Sequence, residues 1–263
     1  MRQPALNGFD GPINAVVQGA SRGLGLAFAQ QLLKCSNVER ILATCRAPEK
    51  AERLQSLVDQ SPQRLSMVQL DVTDEEQIAN AAEVAQKTFE HVDLLLNVAG
   101  VLHDDTRSII PEKKLSQIEP DTVMESFRVN SVGPLLVIKH FAPLISRKHR
   151  SVLANISARV GSITDNHLGG WYAYRASKAA QNMFTRTVAI ELSRHRKTGE
   201  TICVALHPGT VDTALSKPFQ SHLPEGQVFS PERAVCQLLD VIGKLTPDDT
   251  GQFFDWAGKR VQW

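Results

Sequence analysis

The pair Tyr174 and Lys178 is the part of the sequence whose spacing best suits acid–base chemistry. In a helix, residues four apart share one face, with Cβ atoms about 5–6 Å apart. A free phenol, with a pKa near ~10, is a poor acid at neutral pH, but a neighbouring ammonium group lowers that pKa. Such a pair could exchange a proton with a substrate oxygen. Tyr172, the only other tyrosine, has Ala176 four residues later, so the spacing predicts Tyr174 as the acid.

A glycine-rich segment, Gly19–Gly25, has the pattern GxxxGxG and follows a short apolar run near the N-terminus. Glycines permit a tight turn and a close approach of the backbone to a pyrophosphate. The helix that follows offers free N–H groups and a partial positive charge. The segment therefore predicts a dinucleotide site, and a glycine-rich turn without a ligand is the alternative.

Two arginines bear on which dinucleotide would bind. A domain that selects NAD often carries an acidic residue at the end of its second strand, for the ribose hydroxyls. Here that strand is followed by Arg46, and Arg22 lies within the glycine segment. Two guanidinium groups suit a 2′-phosphate by charge and by bidentate geometry. The residues favour NADP(H) over NAD(H), and solvated surface arginines are the alternative.

These residues need a scaffold, and short apolar runs alternate with helical patterns along the whole chain. Several runs are continuously apolar, as expected for strands buried on both faces. Strand–helix alternation is typical of a parallel sheet with helices on both faces. We predict an α/β protein, a single-domain Rossmann fold over residues 1–263 with a doubly wound parallel sheet of about seven strands. The predicted strands are Ile13–Val17, Arg40–Thr44, Leu65–Leu70, Asp93–Leu96, Ser151–Ile156, Ile202–Leu206 and Gln252–Phe254, and the predicted helices are Leu24–Leu33, Asp74–Phe89, Asp121–Ile145, Ala176–Leu192 and Pro231–Leu245.

Two segments, Val101–Pro120 and Pro208–Phe229, are too long to be tight turns. Both follow predicted strands and should lie at the carboxyl edge of the sheet, where open α/β folds bind ligands. We predict that residues 208–230 form a substrate loop.

The composition narrows the classes of function. With 29 basic and 28 acidic side chains, the chain has no strong field for a nucleic acid or an anionic membrane. The sequence contains no apolar stretch of membrane-spanning length and no signal-peptide core. The cysteines form no CxxC pair and the histidines no HxH or HExxH motif, so we expect no disulfide framework and no metal site. A cytoplasmic protein acting on a small molecule fits this composition.

Six motifs, in order and at suitable spacing, make the sequence resemble the short-chain dehydrogenase/reductase family from about Ile13 to Trp263. They are GxxxGxG, Asn97-Val98-Ala99-Gly100, Asn130, Ser157, Tyr174-x-x-x-Lys178 and Pro208-Gly209. The segments Tyr172–Ala180, Val204–Thr213 and Gly251–Trp256 are similar to the C-factor/sniffer branch of carbonyl reductases.

The resemblance implies four catalytic residues. Tyr174 would donate a proton to a carbonyl oxygen as a hydride reaches its carbon, and Lys178 would lower the pKa of Tyr174 and hold the nicotinamide ribose. Ser157 would hydrogen-bond the same oxygen, and Asn130 would anchor a water that relays protons to Lys178. Asp71 and Val72 would bracket the adenine. The implied cofactor-binding set is Gly19, Ser21, Arg22, Gly23, Leu24, Gly25, Arg46, Asp71, Val72, Asn97, Ala99, Gly100, Tyr174, Lys178, Pro208, Gly209, Val211 and Thr213.

The sequence departs from the family pattern in two places. Gln18 stands where a threonine normally braces the Asn97–Gly100 turn, and we expect Gln18 to rebuild that brace. Ser157 and Tyr174 are 17 residues apart, which is more than is typical. The extra residues, 161–171, should form a flap or wall of the substrate site. Leu168, Trp171 and Phe219 are candidates to line a hydrophobic pocket or to pack the surface loops.

The function that the resemblance implies is NADP(H)-dependent reduction of a small hydrophobic ketone, aldehyde or quinone. The alternatives are another short-chain dehydrogenase, such as a hydroxysteroid or 3-oxoacyl reductase, and a nucleotide-sensing signalling protein without turnover. Intact Ser157, Tyr174 and Lys178 argue against the last. Apolar positions of the Ala176–Leu192 helix would allow a homodimer or homotetramer.

Overall fold

A computed structural model of the chain describes residues 6–9, 11–104, 107, 109–146, 149–194, 200–220, 224 and 226–263. The strands are β1 (Ile13–Gln18), β2 (Val38–Cys45), β3 (Leu65–Gln69), β4 (Leu94–Asn97), β5 (Ser151–Ile156), β6 (Thr201–His207), β7 (Thr210–Val211), β8 (Val228–Phe229) and β9 (Phe253–Asp255). Seven of them form one sheet in the order β3-β2-β1-β4-β5-β6-β9, and every neighbouring pair is parallel. The predicted fold class is confirmed.

The helices cover both faces of this sheet. They are α1 (Gly23–Lys34), α2 (Glu52–Gln60), α3 (Glu75–Thr88), α4 (Pro120–Phe127), α5 (Gly133–Phe141), α6 (Tyr172–Arg194) and α7 (Pro231–Lys244). On one face, α1, α2 and α7 share a core that contains Phe28, Leu54 and Leu238. On the other face, α3, α5 and α6 share a second core that contains Ile78 and Phe141.

The order of the strands decides where a ligand can bind. The chain builds β1, β2 and β3 towards one side, then returns to place β4 on the other side of β1. The crevice at the carboxyl ends of β1 and β4 is the point where the strand order reverses, and ligands of open α/β sheets bind in that crevice. The glycine-rich segment follows β1, and Asn97–Gly100 begins at the end of β4.

The predicted long helix Asp121–Ile145 is wrong as one element. The structure divides it into α4, a π-helical turn over Arg128–Val132, and α5. Pro134 has no N–H to donate to the carbonyl of Asn130, four residues earlier, so the regular ladder is interrupted there. The N–H of Gly133 instead donates to the carbonyl of Arg128. The sequence analysis also missed the short helix α2, in which only Leu54 is buried.

The two long segments at the carboxyl edge both contain short elements of secondary structure. In the second, the ribbon of β7 and β8 pairs the two ends of the proposed substrate loop. A 3₁₀ turn, Lys217–Phe219, lies between them. Positions 221–223 and 225 of this loop lie outside the described residues. Within the described part of the chain, we find no helix that is both long and apolar enough to cross a membrane.

Candidate functional site

The turn after β1 is built so that only glycine fits at its tightest points. A Cβ on Gly19, whose φ is +86°, would lie 2.7 Å from the nitrogen of Ala99, and one on Gly25 would lie 2.0 Å from the carbonyl oxygen of Gly19. Arg22 is the N-cap of α1, and its side chain makes no capping hydrogen bond. The first N–H groups of α1 therefore face the crevice without a side-chain acceptor, which fits a pyrophosphate. The predicted residues of this turn are Gly19, Ser21, Arg22, Gly23, Leu24 and Gly25, and all lie at the sheet's carboxyl edge.

Gln18 braces the turn that follows β4. Its side-chain Oε1 accepts a hydrogen bond from the N–H of Ala99 at 3.1 Å, and its carbonyl accepts one from Val98 at 3.0 Å. Gln18 is buried, so this bond is shielded from water. The brace expected from the sequence is confirmed, with an amide oxygen in place of a threonine hydroxyl.

The end of the crevice expected to hold the adenine combines a fixed turn with exposed charge. Asp71 Oδ1 accepts hydrogen bonds from the N–H and the hydroxyl of Thr73, at 2.9 and 2.8 Å. Val72 is buried, and a Cβ on Gly133 would lie 2.7 Å from the Cβ of Val72. The side chains of Arg22 and Arg46 are exposed and pair with no acidic group among the described residues. Both guanidinium groups are thus available to an anion.

Asn97 serves a structural network, whereas Gly100 lies open at the crevice. The Asn97 amide donates to Asn155 Oδ1 at 2.8 Å, and the Asn155 amide donates to Thr185 Oγ1 at 2.8 Å. These bonds tie β4, β5 and α6 together. A Cβ on Gly100 would lie 3.3 Å from Asn130 Oδ1 and 3.5 Å from Lys178 Nζ. The backbone at Gly100 therefore lies where the crevice meets the side chains of Asn130 and Lys178.

Tyr174 and Lys178 lie on the first turns of α6, and they share a face as the spacing predicts. Lys178 Nζ is 5.9 Å from the centre of the Tyr174 ring. It donates to the carbonyl of Ile156 and to Gln181 Oε1, both at 2.9 Å. Both side chains are buried. The pair is thus held at the end of β5 with a defined geometry.

The pKa of Tyr174 differs from the expectation. Burial raises the pKa of the Tyr174 phenol above its usual value and lowers the pKa of Lys178 to about 7. Removal from water destabilises the charged form of each group. The expected lowering of the Tyr174 pKa is therefore not found in this structure, because burial outweighs any stabilisation by an ammonium that hydrogen-bonds elsewhere.

Asn130, in the π-helical turn, links the loop after β4 to α6. Its Oδ1 accepts from the N–H of Val101 at 2.7 Å, and its amide donates to the carbonyl of Val101 at 2.8 Å. The same amide donates to Ser177 Oγ at 3.0 Å, and Ser177 donates to the carbonyl of Tyr174 at 2.9 Å. Asn130 is fully buried. Its side chain consequently fixes the backbone beside Tyr174.

Ser157 follows β5 and depends on a residue that the sequence analysis missed. Its hydroxyl donates to Asn182 Oδ1 at 2.6 Å, and both residues are buried. Asn182 lies four residues after Lys178, so it shares the face of α6 that carries Tyr174 and Lys178. That spacing is the signal that could have found it. A Cβ on Gly161 would lie 2.8 Å from Lys178 Cβ, so the segment after Ser157 packs directly on this face.

Glu112, also missed, holds the start of α6. Its buried carboxylate accepts the N–H of Ala173 at 3.3 Å, and its carbonyl accepts the N–H of Trp171. A carboxylate at a helix N-terminus satisfies a free N–H and complements the helix dipole. Trp171 has a φ of +52°, the left-handed region that a bulky residue rarely adopts. Glu112 therefore fixes the entry into α6 just before Tyr174.

A series of aromatic side chains in contact extends from Tyr174. The Trp171 ring lies 6.3 Å from the Tyr174 ring and 4.8 Å from the Phe219 ring, and His103 lies 5.9 Å from Phe219. Of the three predicted pocket residues, Trp171 contacts the Tyr174 ring and Phe219 contacts the Trp171 ring. Leu168, the third, is 92% exposed.

The segment after β6 closes the site from the other side. Gly209 has a φ of +78°, and a Cβ there would lie 2.8 Å from the Phe229 ring. A Cβ on Gly23 would lie 3.3 Å from Thr213 Cγ2, so this segment reaches the glycine turn. The predicted residues Pro208, Gly209, Val211 and Thr213 therefore border the same crevice.

Comparison with known proteins identifies the family. Residues 14–224 match the family model described as short chain dehydrogenase. A relative from Rhodococcus sp. (strain AD45), 1-hydroxy-2-glutathionyl-2-methyl-3-butene dehydrogenase, is 31% identical over 94% of this chain and 98% of its own length. C-signal of Myxococcus xanthus is 35% identical over 65% of this chain and 93% of its own length.

A solved structure shares the whole architecture. The NADPH-bound carbonyl reductase from chicken fatty liver is 31% identical, with a TM-score of 0.85 over 97% of this chain and 96% of the other. The resemblance drawn from the motifs, including its C-factor and carbonyl reductase branch, is confirmed.

Proposed function

The chain belongs to the short chain dehydrogenase family, and we propose that it is an NADP(H)-dependent carbonyl reductase for small hydrophobic ketones, aldehydes or quinones. The observation that carries this proposal is the buried cluster of Ser157, Tyr174 and Lys178 at the carboxyl edge of the sheet. Ser157 and Lys178 are held by hydrogen bonds, and the Tyr174 ring contacts Trp171. The cluster lies where the backbone at Gly100 opens to the crevice.

The crevice fits a dinucleotide in three respects. The glycine turn leaves room for a pyrophosphate, the N-terminus of α1 offers N–H donors, and the backbone at Gly100 leads to Lys178. Arg22 and Arg46 would bind the 2′-phosphate of NADP(H), because both are exposed and unpaired with described acidic groups. NADPH supplies the hydride, and the similar chicken enzyme has NADPH bound.

Tyr174 acts as the proton donor to the carbonyl oxygen in this proposal. A buried phenol with a raised pKa holds its proton firmly, so it needs a positive charge nearby to release it. Lys178 lies on the same face and can supply that charge. Ser157 donates a second hydrogen bond to the carbonyl oxygen, and two donors aimed at one oxygen stabilise the charge that develops there.

Asn130 and Asn182 act through their neighbours. Asn182 sets the position of the Ser157 hydroxyl, so it is a positioning residue. Asn130 holds the Val101 peptide and, through Ser177, the backbone of Tyr174. Because Pro134 cannot donate to the Asn130 carbonyl, that oxygen could hold a water that relays protons towards Lys178.

The aromatic side chains near Tyr174 favour an apolar substrate. Trp171, Phe219 and His103 form a wall beside the proton donor, and residues 208–230 would act as the substrate loop. Aromatic walls with few polar groups are typical of pockets that bind small hydrophobic molecules.

A second candidate, a nucleotide-sensing signalling protein, draws support from the similarity to C-signal. A third, another dehydrogenase on this scaffold, draws support from the Rhodococcus relative, which is named as a dehydrogenase of a hydroxy compound. The three differ in what they do with NADPH and a carbonyl compound.

The experiment that separates them follows NADPH oxidation by the purified protein with quinones, aliphatic ketones, aldehydes, a ketosteroid and a 3-oxoacyl thioester. We expect turnover with the first three classes, and higher kcat/KM with NADPH than with NADH. Turnover confined to the steroid or the thioester would replace the proposed substrate class. NADPH binding without turnover of any carbonyl would favour the signalling role.

A homodimer or homotetramer remains a proposal, and it rests on exposed apolar side chains. Met124 on α4, and Met183 and Ile190 on α6, are exposed. Large exposed apolar groups on neighbouring helices suit a surface that a second copy covers. Sedimentation velocity with a Met183→Glu variant tests this surface, since the variant should shift the protein towards monomer.

A further inference from the structure

A cluster of two histidines and one aspartate lies at the amino edge of the sheet, opposite the crevice. His91 and Asp93 directly precede β4, and His149 lies just before β5. These two strands are parallel neighbours, so their starting points lie side by side. The cluster joins residues that are 58 positions apart in the chain.

Three potential ligand atoms of this cluster face one another. His149 Nε2 lies 2.9 Å from His91 Nε2 and 3.1 Å from Asp93 Oδ1, and His91 Nε2 lies 3.2 Å from the same oxygen. Ligand atoms about 2.0–2.1 Å from a tetrahedral zinc ion are separated by about 3.3 Å. The three atoms therefore form one face of such a coordination shell, after movements of a few tenths of an ångström.

Hydrogen bonds alone account poorly for this arrangement. A carboxylate oxygen only accepts, and a neutral imidazole nitrogen either donates or accepts. The two Nε2 atoms carry at most two protons between them, and each proton lies along only one short contact, so at least one of the three short contacts contains no hydrogen bond. A cation at the centre satisfies all three lone pairs together.

The carboxylate of the cluster is positioned by a neighbouring strand. Asp93 Oδ2 accepts the N–H of Asn14, on β1, at 2.8 Å, which leaves Oδ1 directed at the histidines. The Asp93 side chain is only 1% exposed, whereas the His91 and His149 side chains are 24% and 33% exposed. A ligand carboxylate held by a hydrogen bond from the protein is a common feature of metal sites.

An open cavity gives an ion access to the cluster. It has a volume of about 540 Å³ and is lined by His91, His149, Glu39 and Glu90, among others. The two acidic side chains outnumber the one basic side chain of the lining, Arg40, whose guanidinium donates to the carbonyl of Thr88. The balance favours the approach of a cation, and the cavity leaves space for water on the free side of the ion.

We propose that His91, Asp93 and His149 form a binding site for a divalent transition metal ion of the zinc class, separate from the reductase site. Two imidazoles and one carboxylate are ligands that zinc accepts, with water in the fourth position. The site lies at the opposite edge of the sheet from Tyr174, so its ion does not take part in hydride transfer. It joins the starts of β4 and β5 and stabilises the fold. The expectation of no metal site would then be wrong.

The test is a titration of chelator-treated, dialysed protein with zinc chloride, followed by calorimetry and by thermal unfolding. We expect one zinc ion per chain, and zinc about 100-fold above its Kd should raise the Tm by roughly 5 °C. The variants His91→Gln and His149→Gln should each lose this binding and this shift. The matched control is His140→Gln: His140 is 24% exposed and lies 2.9 Å from the Glu75 carboxylate, so it offers a histidine–carboxylate pair without a third ligand.

Cobalt(II) distinguishes this site from the four cysteine thiols. Cobalt bound to nitrogen and oxygen ligands gives weak visible bands, and thiolate ligation adds an intense near-ultraviolet band. Weak bands that disappear in His149→Gln and persist in His140→Gln would support the site. A thiolate band, no stoichiometric zinc, or equal zinc binding by a His91→Gln/His149→Gln double variant would overturn it. We expect the NADPH oxidation rate to be the same with and without zinc. That rate tests the reductase proposal independently of zinc binding, so failure of one proposal can be distinguished from failure of the other.

Discussion

The α6 cluster (Ser157, Tyr174 and Lys178) and the phosphate end, the part of the crevice where we propose that Arg22 and Arg46 bind the 2′-phosphate, hold their side chains in different ways. Ser157, Tyr174 and Lys178 are buried and surrounded by packed protein, and their positions are set before any ligand binds. Arg22 and Arg46 are exposed, and no described acidic group holds them. Changes in the cluster should therefore alter turnover and stability, and changes at the phosphate end should alter cofactor affinity alone.

The largest expected effect is that of Tyr174→Phe, which removes the proton donor and leaves the ring in place. We expect kcat to fall about 10³-fold, within the range that general acids contribute. NADPH affinity, measured by fluorescence titration, should change little because the phosphate end is untouched.

Tyr172→Phe is the matched control for that variant. Tyr172 lies two residues before Tyr174, so the two side chains do not share a face of α6. Tyr172 has no lysine four residues later, and the variant should keep most of the activity. Equal losses in the two variants would contradict the assignment of Tyr174.

The next effect tests the phosphate end. Arg46→Asp replaces a cation with an anion, so it should lower the ratio of kcat/KM for NADPH to that for NADH about 10²-fold, since a charge-assisted hydrogen bond is worth about 1.5–3 kcal/mol. The Tm should be unchanged because Arg46 is exposed. Steady-state kinetics with both cofactors measures the ratio.

Arg53→Asp supplies the control, because Arg53 is an exposed arginine on the nearby helix α2. It makes the same change in net charge and should leave the preference for NADPH intact. A similar loss in both variants would mean that overall charge, rather than contact with the 2′-phosphate, sets the preference.

A smaller effect is expected when Asn182→Leu removes the acceptor of the Ser157 hydroxyl. We expect kcat to fall about 10-fold, as for the loss of one hydrogen bond worth about 1.4 kcal/mol, with an unchanged KM for NADPH. Asn182→Asp keeps an acceptor and should recover part of the rate.

A double-mutant cycle distinguishes positioning of Ser157 from a general structural role. If Asn182 acts through Ser157, then Asn182→Leu should have little further effect on kcat in a Ser157→Ala background. Additive losses in the two variants would refute the coupling and assign Asn182 to the packing of α6.

The difference between the two regions also explains what the sequence could predict. The strands, the glycine turn and the shared face of Tyr174 and Lys178 follow from local patterns, because spacing along one element determines them. The bonds from Ser157 to Asn182 and from Glu112 to Ala173 join residues that are 25 and 61 positions apart. Periodicity identifies the face of a helix but not the residue that meets it from another element, so these partners were missed.

The π-helical turn at Asn130 shows a second limit. Its apolar pattern predicted one continuous helix, and Pro134 alone was too weak a signal because proline is also tolerated in the first turn of a helix. In the structure, Pro134 interrupts the helical hydrogen-bond ladder after Asn130 and also lies in the first turn of α5. The Gln18 brace could be predicted because it joins two strand ends whose adjacency the fold class already implies.

The smallest expected effect concerns His207, a titratable side chain whose burial near the cluster should make the free energy of unfolding depend on pH. His207 ends β6 beside Pro208, and its Nδ1 is buried without a hydrogen-bond partner among the described residues. Burial, with a smaller effect of Arg159, lowers the pKa of His207 from 6.5 to about 4. Between these values the unfolded chain binds a proton that the folded chain does not. The free energy of unfolding therefore falls as the pH drops from 6.5 towards 4.

The variant His207→Gln tests this effect. Between pH 8 and pH 6 it should lose about 1 kcal/mol less of its free energy of unfolding than the wild type, seen as a smaller drop in Tm. The exposed His167→Gln should retain the wild-type pH dependence. If His207→Gln also retains it, burial of this histidine does not contribute to acid sensitivity.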